Sequence, residues 1–515
     1  MRRSSVLSIA AISCVVFGVA ALRLNSTRSS AFAAQPQSPQ PVPVAASQAP
    51  QLTPASIVST SVKTDTSSRT SSLPSSSTEI YTAQRGETIP AISHKYLQRT
   101  AYLTSSELAD AIRRVNGKDD GNRSGNLLKA GEQITIPGIL PAPIVEKTVP
   151  VAKDFEVRAI YLTGIMAASD HGLRIIRHWR EVGGNAVVFD IKDSDGSVNI
   201  PYEHPLLGKH QVYIHDLPKF VRFLHSENMH AIARIAIFRD ERLVVGHPEL
   251  AVQSRKNKQP WRENGKLVWT DSSNPKVQDY NIALAKFVAQ SGADEIQFDY
   301  VRFPAEGDQK DASFVFQTEH RDGKWQRSDV IVNFLQKAYA ELHPTGVLLS
   351  LDVFGIMAWQ RPVDLAHTGQ DIVGMAKYCD VLSPMIYPSH FFGMDNIEHP
   401  GDAPERFIGE SMQRFEQITK GSGVVIRPWL QAFRWRTKTY SPEYIKVQVA
   451  TAKEKGGIGF LFWNAANDYS KPYEAMPEMK AADLKEKDKY FRGDELPGAT
   501  IKASLTPVVI PAATR

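Results

Sequence analysis

A chain of 515 residues has room for two or three domains at roughly 100–200 residues each. Its 42% hydrophobic content supports a sizeable core, and a net charge of +5 without a basic block argues against nucleic acid as a partner. Two cysteines, Cys14 and Cys379, exclude a disulfide framework and a cysteine-ligated zinc site.

Arg2 and Arg3 precede an apolar run over residues 6–22, the pattern of an export signal. Two outcomes are open. Cleavage follows Ala31-Phe32-Ala33, or the segment stays as an inner-membrane anchor through residues 6–22. Residues 1–34 are thus a signal peptide or a signal anchor, and the expected location is periplasmic, membrane-anchored or extracellular. Residues 35–79 are rich in Ser, Thr, Ala, Pro and Gln and lack a hydrophobic period, so a disordered linker is expected. Residues 491–515 read as a disordered tail.

Residues 80–138 predict a small module. Tyr81 lies in a strand that turns at Arg85-Gly86, and Ile89, Ile92 and Tyr96 share one helical face. A second helix over Ser105–Val115 stops at Asn116-Gly117. LKAGEQITIP then reads as a turn and a strand, completing a βααβ unit. The Tyr81 strand, Gly86-Glu87-Thr88, Ile92, Asn116, Leu128-x-x-Gly131 and Ile134-x-Ile136-Pro137 resemble a LysM domain. That resemblance implies binding to peptidoglycan or a chitin-like glycan, with contacts from Gly86, Glu87, Thr88 and Ile89. Residues 139–156 read as a linker.

From residue 157 to 490 strand-like runs alternate with helical patterns. The runs are Arg158–Gly164, Asn185–Asp193, His230–Phe238, Asp294–Phe303, Val347–Gly355, Asp380–Tyr387, Val424–Phe433 and Ile458–Asn464. Strand and helix in alternation predict a parallel sheet, and eight units predict an α/β fold of the (β/α)₈ TIM-barrel type. An open doubly wound sheet is the alternative. No G-x-G-x-x-G follows the first run, which argues against a dinucleotide-binding version.

Strand parity then locates the chemistry, because alternate side chains face opposite sides of a strand. Asp190 with Lys192, Gln297 with Asp299, Ser350 with Asp352, Ser383 with Tyr387 and Arg427 with Gln431 each share a parity. The opposite parity is largely apolar, as a helix-facing surface should be. The polar set therefore points into the barrel, and Asp190, Asp299, Asp352, Tyr387 and Gln431 lie toward the strand ends where barrel enzymes carry catalysis. Arg234, Arg302, Arg427 and Lys192 are available to compensate the carboxylates. Of the aromatics near strand ends, Trp463 reads as core, on the parity opposite Asn464. The histidines lack metal-ligand spacing and Asp193-Ser194-Asp195-Gly196 reads as a turn, so neither a metal nor a cofactor is expected.

The strings NAVVFDIKDSDGSV, DYNIALAKFVAQSGADEIQFDYVRFP, YCDVLSPMIYPSHF, IRPWLQAF and FWNAANDY resemble a bacterial family of glycoside hydrolase domains, formerly a domain of unknown function. The resemblance implies an amylase-like barrel with a nucleophile on the fourth strand and an acid/base on the fifth, where Asp299 and Asp352 stand. Two positions depart from the amylase pattern: Gln297 replaces an Arg, and Asp352 replaces a Glu. Asp190, Lys192, Arg234, Arg302, Tyr387, Gln431 and Asn464 are the expected substrate-binding residues. The expected function is that of a cell-envelope glycoside hydrolase acting on a poly- or oligosaccharide and held on glycan by LysM. The competing expectation is a non-catalytic glycan-binding scaffold with a degenerate barrel. A polysaccharide deacetylase would need a His-rich metal set that the sequence lacks.

Overall fold

A computed structural model describes residues 77–118, 126–148 and 152–483. The expected export signal, nearly all of the expected linker over residues 35–79 and the expected tail lie outside the described residues. Among the described residues no helix is long and apolar enough to cross a membrane.

Residues 77–139 form the expected strand–helix–helix–strand unit. Strand Ser77–Thr82 pairs antiparallel with strand Gln133–Ile139, and helices Ile89–Tyr96 and Ser105–Val115 cover one face. Thr88 and Thr104 cap the two helices by accepting from Ala91 N and Glu107 N, each contact contributing about 1 kcal/mol. Ile89, Ile92, Leu108, Ile112, Ile134 and Ile136 fill the core between helices and sheet. Asn116 locks the second helix to the last strand. Its amide donates to Ile112 O and Thr135 O and accepts from Thr135 N, all within 2.9 Å.

The remaining chain folds as a closed parallel barrel. Its eight strands are Val157–Leu162, Ala186–Lys192, His230–Ala236, Glu295–Asp299, Leu348–Phe354, Val381–Met385, the split pair Val425–Ile426 and Trp429–Gln431, and Gly459–Trp463. Each pairs with its neighbour in chain order, and the eighth pairs with the first, which excludes the open sheet. The seventh strand breaks at Arg427-Pro428, where proline has no N–H to give the ladder.

Parity sorts the barrel into two cores. Val157, Ala159, Tyr161, Val188, Ile232, Trp429 and Leu461 pack inside the barrel. Ile160, Leu162, Val187, Phe189, Ala231, Ala233, Ile235 and Phe298 pack outward under the helices. Full burial of one such phenylalanine contributes roughly 1.5–3 kcal/mol. The helices begin on side-chain caps where the sequence offers them: Ser169, Asp216, Asn274 and Ser441 each accept from a first-turn N–H.

The N-terminal end of the barrel repeats one device on alternate strands. Asn185, Asp294 and Asp380 stand immediately before strands two, four and six. Their side chains accept from Arg158 N, Ala231 N and Leu349 N at 2.7–2.9 Å, stitching each strand to its predecessor. Deeper in the lumen Arg427 donates to both oxygens of Glu295 at 3.1 and 2.8 Å. Burial alone would raise that carboxyl, but Arg427 and His230 reverse the effect and hold it at about 2.

Gly459 begins the eighth strand with φ +83°, and a Cβ there would sit 2.2 Å from Val157 O. Gly459→Ala is therefore expected to destabilise by about 1–3 kcal/mol from backbone conformation alone, with the clash added. Urea denaturation measures this, and an unchanged midpoint would mean that the first and eighth strands are not joined as described.

Candidate active site

All eight strands send one large side chain to the C-terminal mouth of the lumen. In order they are Tyr161, Asp190, Arg234, Asp299, Asp352, Tyr387, Trp429 and Trp463. Arg234 is the centre. Its Nη1 donates to Asp190 Oδ1 at 2.5 Å, and Nη2 and Nε donate to Asp299 Oδ2 at 2.5 and 3.1 Å. Nε also lies 3.9 Å from Asp352 Oδ2. One guanidinium thus gathers three carboxyls from three strands, the convergence that parity predicts.

Aromatic side chains finish the cluster. Tyr161 donates its hydroxyl to Asp190 Oδ2 at 2.5 Å, and Trp429 donates Nε1 to Asp352 Oδ1 at 2.6 Å. Trp463 stacks on Tyr161 at 4.1 Å between centroids, and the Arg234 guanidinium lies 5.5 Å from the Trp463 ring.

The environments of the carboxyls differ. Asp352 is sealed, and burial first, then the neighbouring Asp299 charge, push its carboxyl well above the ordinary range. Burial likewise outweighs Arg234 and Tyr161 and raises Asp190 to about 7. Asp299 keeps 11% of its side chain exposed, against 0% and 1% for Asp190 and Asp352. It is therefore the carboxyl a ligand reaches first. The next residue, Tyr300, takes φ +53°, rare for a bulky side chain, and its N–H donates to Asp299 Oδ1 at 2.6 Å. Such a residue costs about 1–3 kcal/mol and is characteristic of functional turns.

Several expected site residues stand elsewhere. Lys192 leaves the site. A bulge sets Asp190 against Arg234 but Lys192 against Ile235, so parity flips between them. Lys192 instead points under the helices, donating to Asp240 at 2.9 Å and Asn281 at 2.8 Å. Gln431 is fully buried and spends its amide on Ser389 N and Phe433 O, holding loops together. Asn464 does the same with Ala432 O, Asp468 O and Ala466 N, because the lumen parity of its strand is that of Leu461 and Trp463. Trp463, expected in the core, stands half-buried at the mouth. In the small module, Ile89 is fully buried and has no side chain to offer a glycan. There Glu87 accepts from Tyr81 OH and Gln84 N at 2.8 and 2.7 Å, bracing the turn. The Asp193–Gly196 string is a turn, closed by Gly196 N donating to Asp193 O at 2.9 Å.

Tyr161 and the donor role of Trp429 escape the polar-residue reading. Both sit on the lumen parity of their strands, so extending parity to aromatic residues finds them. Gln297 lies below Asp299 within the lumen, and Arg234 on the neighbouring strand donates to Asp299.

The pH dependence of stability tests the environment of Asp190. A carboxyl raised from 3.8 to about 7 on folding stabilises fully below its unfolded value, and that contribution is lost as pH rises to and through about 7. Asp190→Asn is therefore expected to gain on wild type as pH rises from about 4 to 8. Parallel denaturation curves across that window would refute the assigned environment.

A family model described as "Putative glycosyl hydrolase domain" matches residues 159–469. The chain matches no curated protein. Among solved structures, a hypothetical protein from Ruminiclostridium thermocellum ATCC 27405 is 36% identical over 38% of this chain and 97% of its own, with a TM-score of 0.33. The PgaB (BpsB) glycoside hydrolase domain from Bordetella bronchiseptica is 15% identical over 64% of this chain and 99% of its own, with a TM-score of 0.47. The spore cortex-lytic enzyme SleL from Bacillus megaterium QM B1551 is 12% identical over 77% and 85%, with a TM-score of 0.37.

Proposed function

The chain belongs to the family described as "Putative glycosyl hydrolase domain", and on that premise we propose that its barrel cleaves a glycosidic bond with Asp299 as nucleophile and Asp352 as acid/base. The observation that carries this reading is two carboxyls on one guanidinium in unlike environments: Asp299 reachable and doubly hydrogen-bonded by Arg234, Asp352 sealed and pushed toward its protonated form. Pairs of carboxyls held apart in this way serve as nucleophile and acid.

In the first step Asp352 gives its proton to the glycosidic oxygen while an Asp299 oxygen bonds to the anomeric carbon, and the leaving sugar departs as an alcohol. In the second, Asp352 takes a proton from water, whose oxygen displaces Asp299 and releases the sugar. Arg234 Nε lies 3.1 Å from the Asp299 oxygen and 3.9 Å from the Asp352 oxygen, so those oxygens are at most about 7 Å apart. That bound admits the ~5–5.5 Å spacing of retaining enzymes and only the lower edge of the ~6.5–9.5 Å inverting range. Release of new reducing ends from a panel of bacterial polysaccharides, with the anomer of the first product read by NMR, tests the reading. Binding without any cleavage would favour the scaffold instead.

The βααβ module supports a second part of the same reading, LysM-type attachment of an exported hydrolase to envelope glycan. The supporting features are the turn braced by Glu87 and the Asn116 lock. The full chain is expected to sediment weakly with chitin or peptidoglycan, since a lone module lacks avidity, and a chain lacking residues 77–139 is expected to stay in the supernatant. Equal sedimentation of both would remove the targeting role.

A further inference from the structure

The two-carboxyl chemistry leaves Arg302 without a task. Four arginines are buried among the described residues. Arg158, Arg234 and Arg427 each pair with a carboxylate. Arg302, 5% exposed, pairs with none. Its guanidinium lies over Phe354 at 4.4 Å, Trp269 at 4.7 Å and Tyr300 at 5.4 Å. Its Nη1 donates to Phe303 O at 3.0 Å. The other two nitrogens hydrogen-bond to none of the described residues and, unlike Nε and Nη2 of Arg427, are not sealed from solvent. Glu263, Glu306 and Asp299 act on it only from beyond ion-pair distance. Aromatic faces offset part of the cost of burying a cation, but they supply no counter-charge.

The position adjoins the proposed catalytic pair. Phe354 ends the fifth strand two residues after Asp352, and Tyr300 follows Asp299. Arg239 lies 5.7 Å from the Tyr300 ring, donates Nη1 to Ser194 O at 2.6 Å, and has no carboxylate partner among the described residues. We infer that Arg302, with Arg239 beside the same tyrosine ring, forms a subsite for a sugar carboxylate, so that the glycan cleaved under the reading above carries a uronic acid or a lactyl-ether sugar beside the scissile bond. A guanidinium fork matches a carboxylate bidentately, whereas sugar hydroxyls leave its charge unbalanced. The carboxyls at the barrel mouth do not oppose such a ligand, and of the two glutamates outside it, Glu306 is raised by burial and by Glu263. Burial holds Asp352 toward its neutral form and raises Asp190 to about 7, and Arg234 balances Asp299.

Binding of the full chain to polygalacturonate fragments and to peptidoglycan glycan strands, each beside its carboxyl-reduced form, tests the inference. The proteins are wild type, Arg302→Gln and Arg302→Lys, with folding checked by thermal melting. Wild type is expected to hold at least one acidic glycan about tenfold or more tighter than its reduced form. Arg302→Gln should erase that difference while leaving the reduced glycan unchanged, and Arg302→Lys should keep part of it. The responding glycan separates a uronate from a lactyl ether, and attachment through the small module cancels between variants. No carboxylate preference in wild type, or equal weakening of both forms by Arg302→Gln, overturns the inference. Binding is read without turnover, so an Arg302-dependent preference in a protein that cleaves nothing would sustain the subsite and defeat the hydrolase reading.

Discussion

Asp352→Asn is expected to lower turnover of a cleaved glycan by about 10²–10⁴, the usual cost of losing a general acid or base, and Asp299→Asn by more. The two losses should differ in kind. Asp352 acts by protonating the leaving oxygen, so aryl glycosides with good leaving groups should restore much of the first step to Asp352→Asn. Asp299 forms the bond to the anomeric carbon, so no leaving group rescues its replacement. Wild-type activity should also fall on the alkaline side as Asp352 loses the proton that burial and Asp299 favour, and that limb should vanish in Asp352→Asn on activated substrates. Undiminished cleavage by both variants would remove these two residues from the mechanism. Neither substitution changes side-chain volume appreciably, so melting temperature serves as the control for folding.

Arg234→Met is expected to cost about 3–5 kcal/mol of stability, the penalty of stripping a buried ionic cluster of one partner. The guanidinium holds Asp190 and Asp299 through three hydrogen bonds, and its side chain is 3% exposed. Removing it leaves the carboxyls facing each other with Tyr161, Trp429 and the Tyr300 N–H as remaining donors. Adding Asp190→Asn to Arg234→Met should recover part of the loss, because one of the orphaned charges disappears. A double-mutant cycle by urea denaturation reads this coupling. Additive effects would mean that the two side chains do not share a contact.

The way Lys192 and Asp190 part company shows where strand parity stops being reliable. Alternation holds only along an unbroken ladder, and one extra residue at Ile191 turns Lys192 to Asp240. Nothing in the local sequence marks that bulge, since Ile191 is as strand-forming as its neighbours. At Asn464 the difficulty is of another kind. The residue lies just past the strand, where backbone groups of the next loop compete for its amide. Gln431 shares the lumen parity of Trp429 yet is captured by the loops after strands six and seven. Polar residues at strand ends therefore divide into ligand-facing and loop-holding groups by loop geometry, which strand alternation does not contain.

Closure of the sheet was decided by the pairing of the eighth strand with the first. Sequence alone predicted eight strand–helix units, with barrel and open sheet as alternatives, and set Asp190, Asp299 and Asp352 on one strand parity with Arg234 among the cations available to them. These follow from local rules: apolar alternation selects strands, helical periods separate them, and a closed parallel sheet turns one parity inward. Tertiary structure alone decided which cation each carboxyl meets. Arg234 serves both Asp190 and Asp299, Arg427 is taken by Glu295, and Arg302 is left among aromatic rings. The reason is distance. Charge pairing and burial depend on separations of a few ångströms between segments tens of residues apart in the chain, and those separations are set only when the barrel closes.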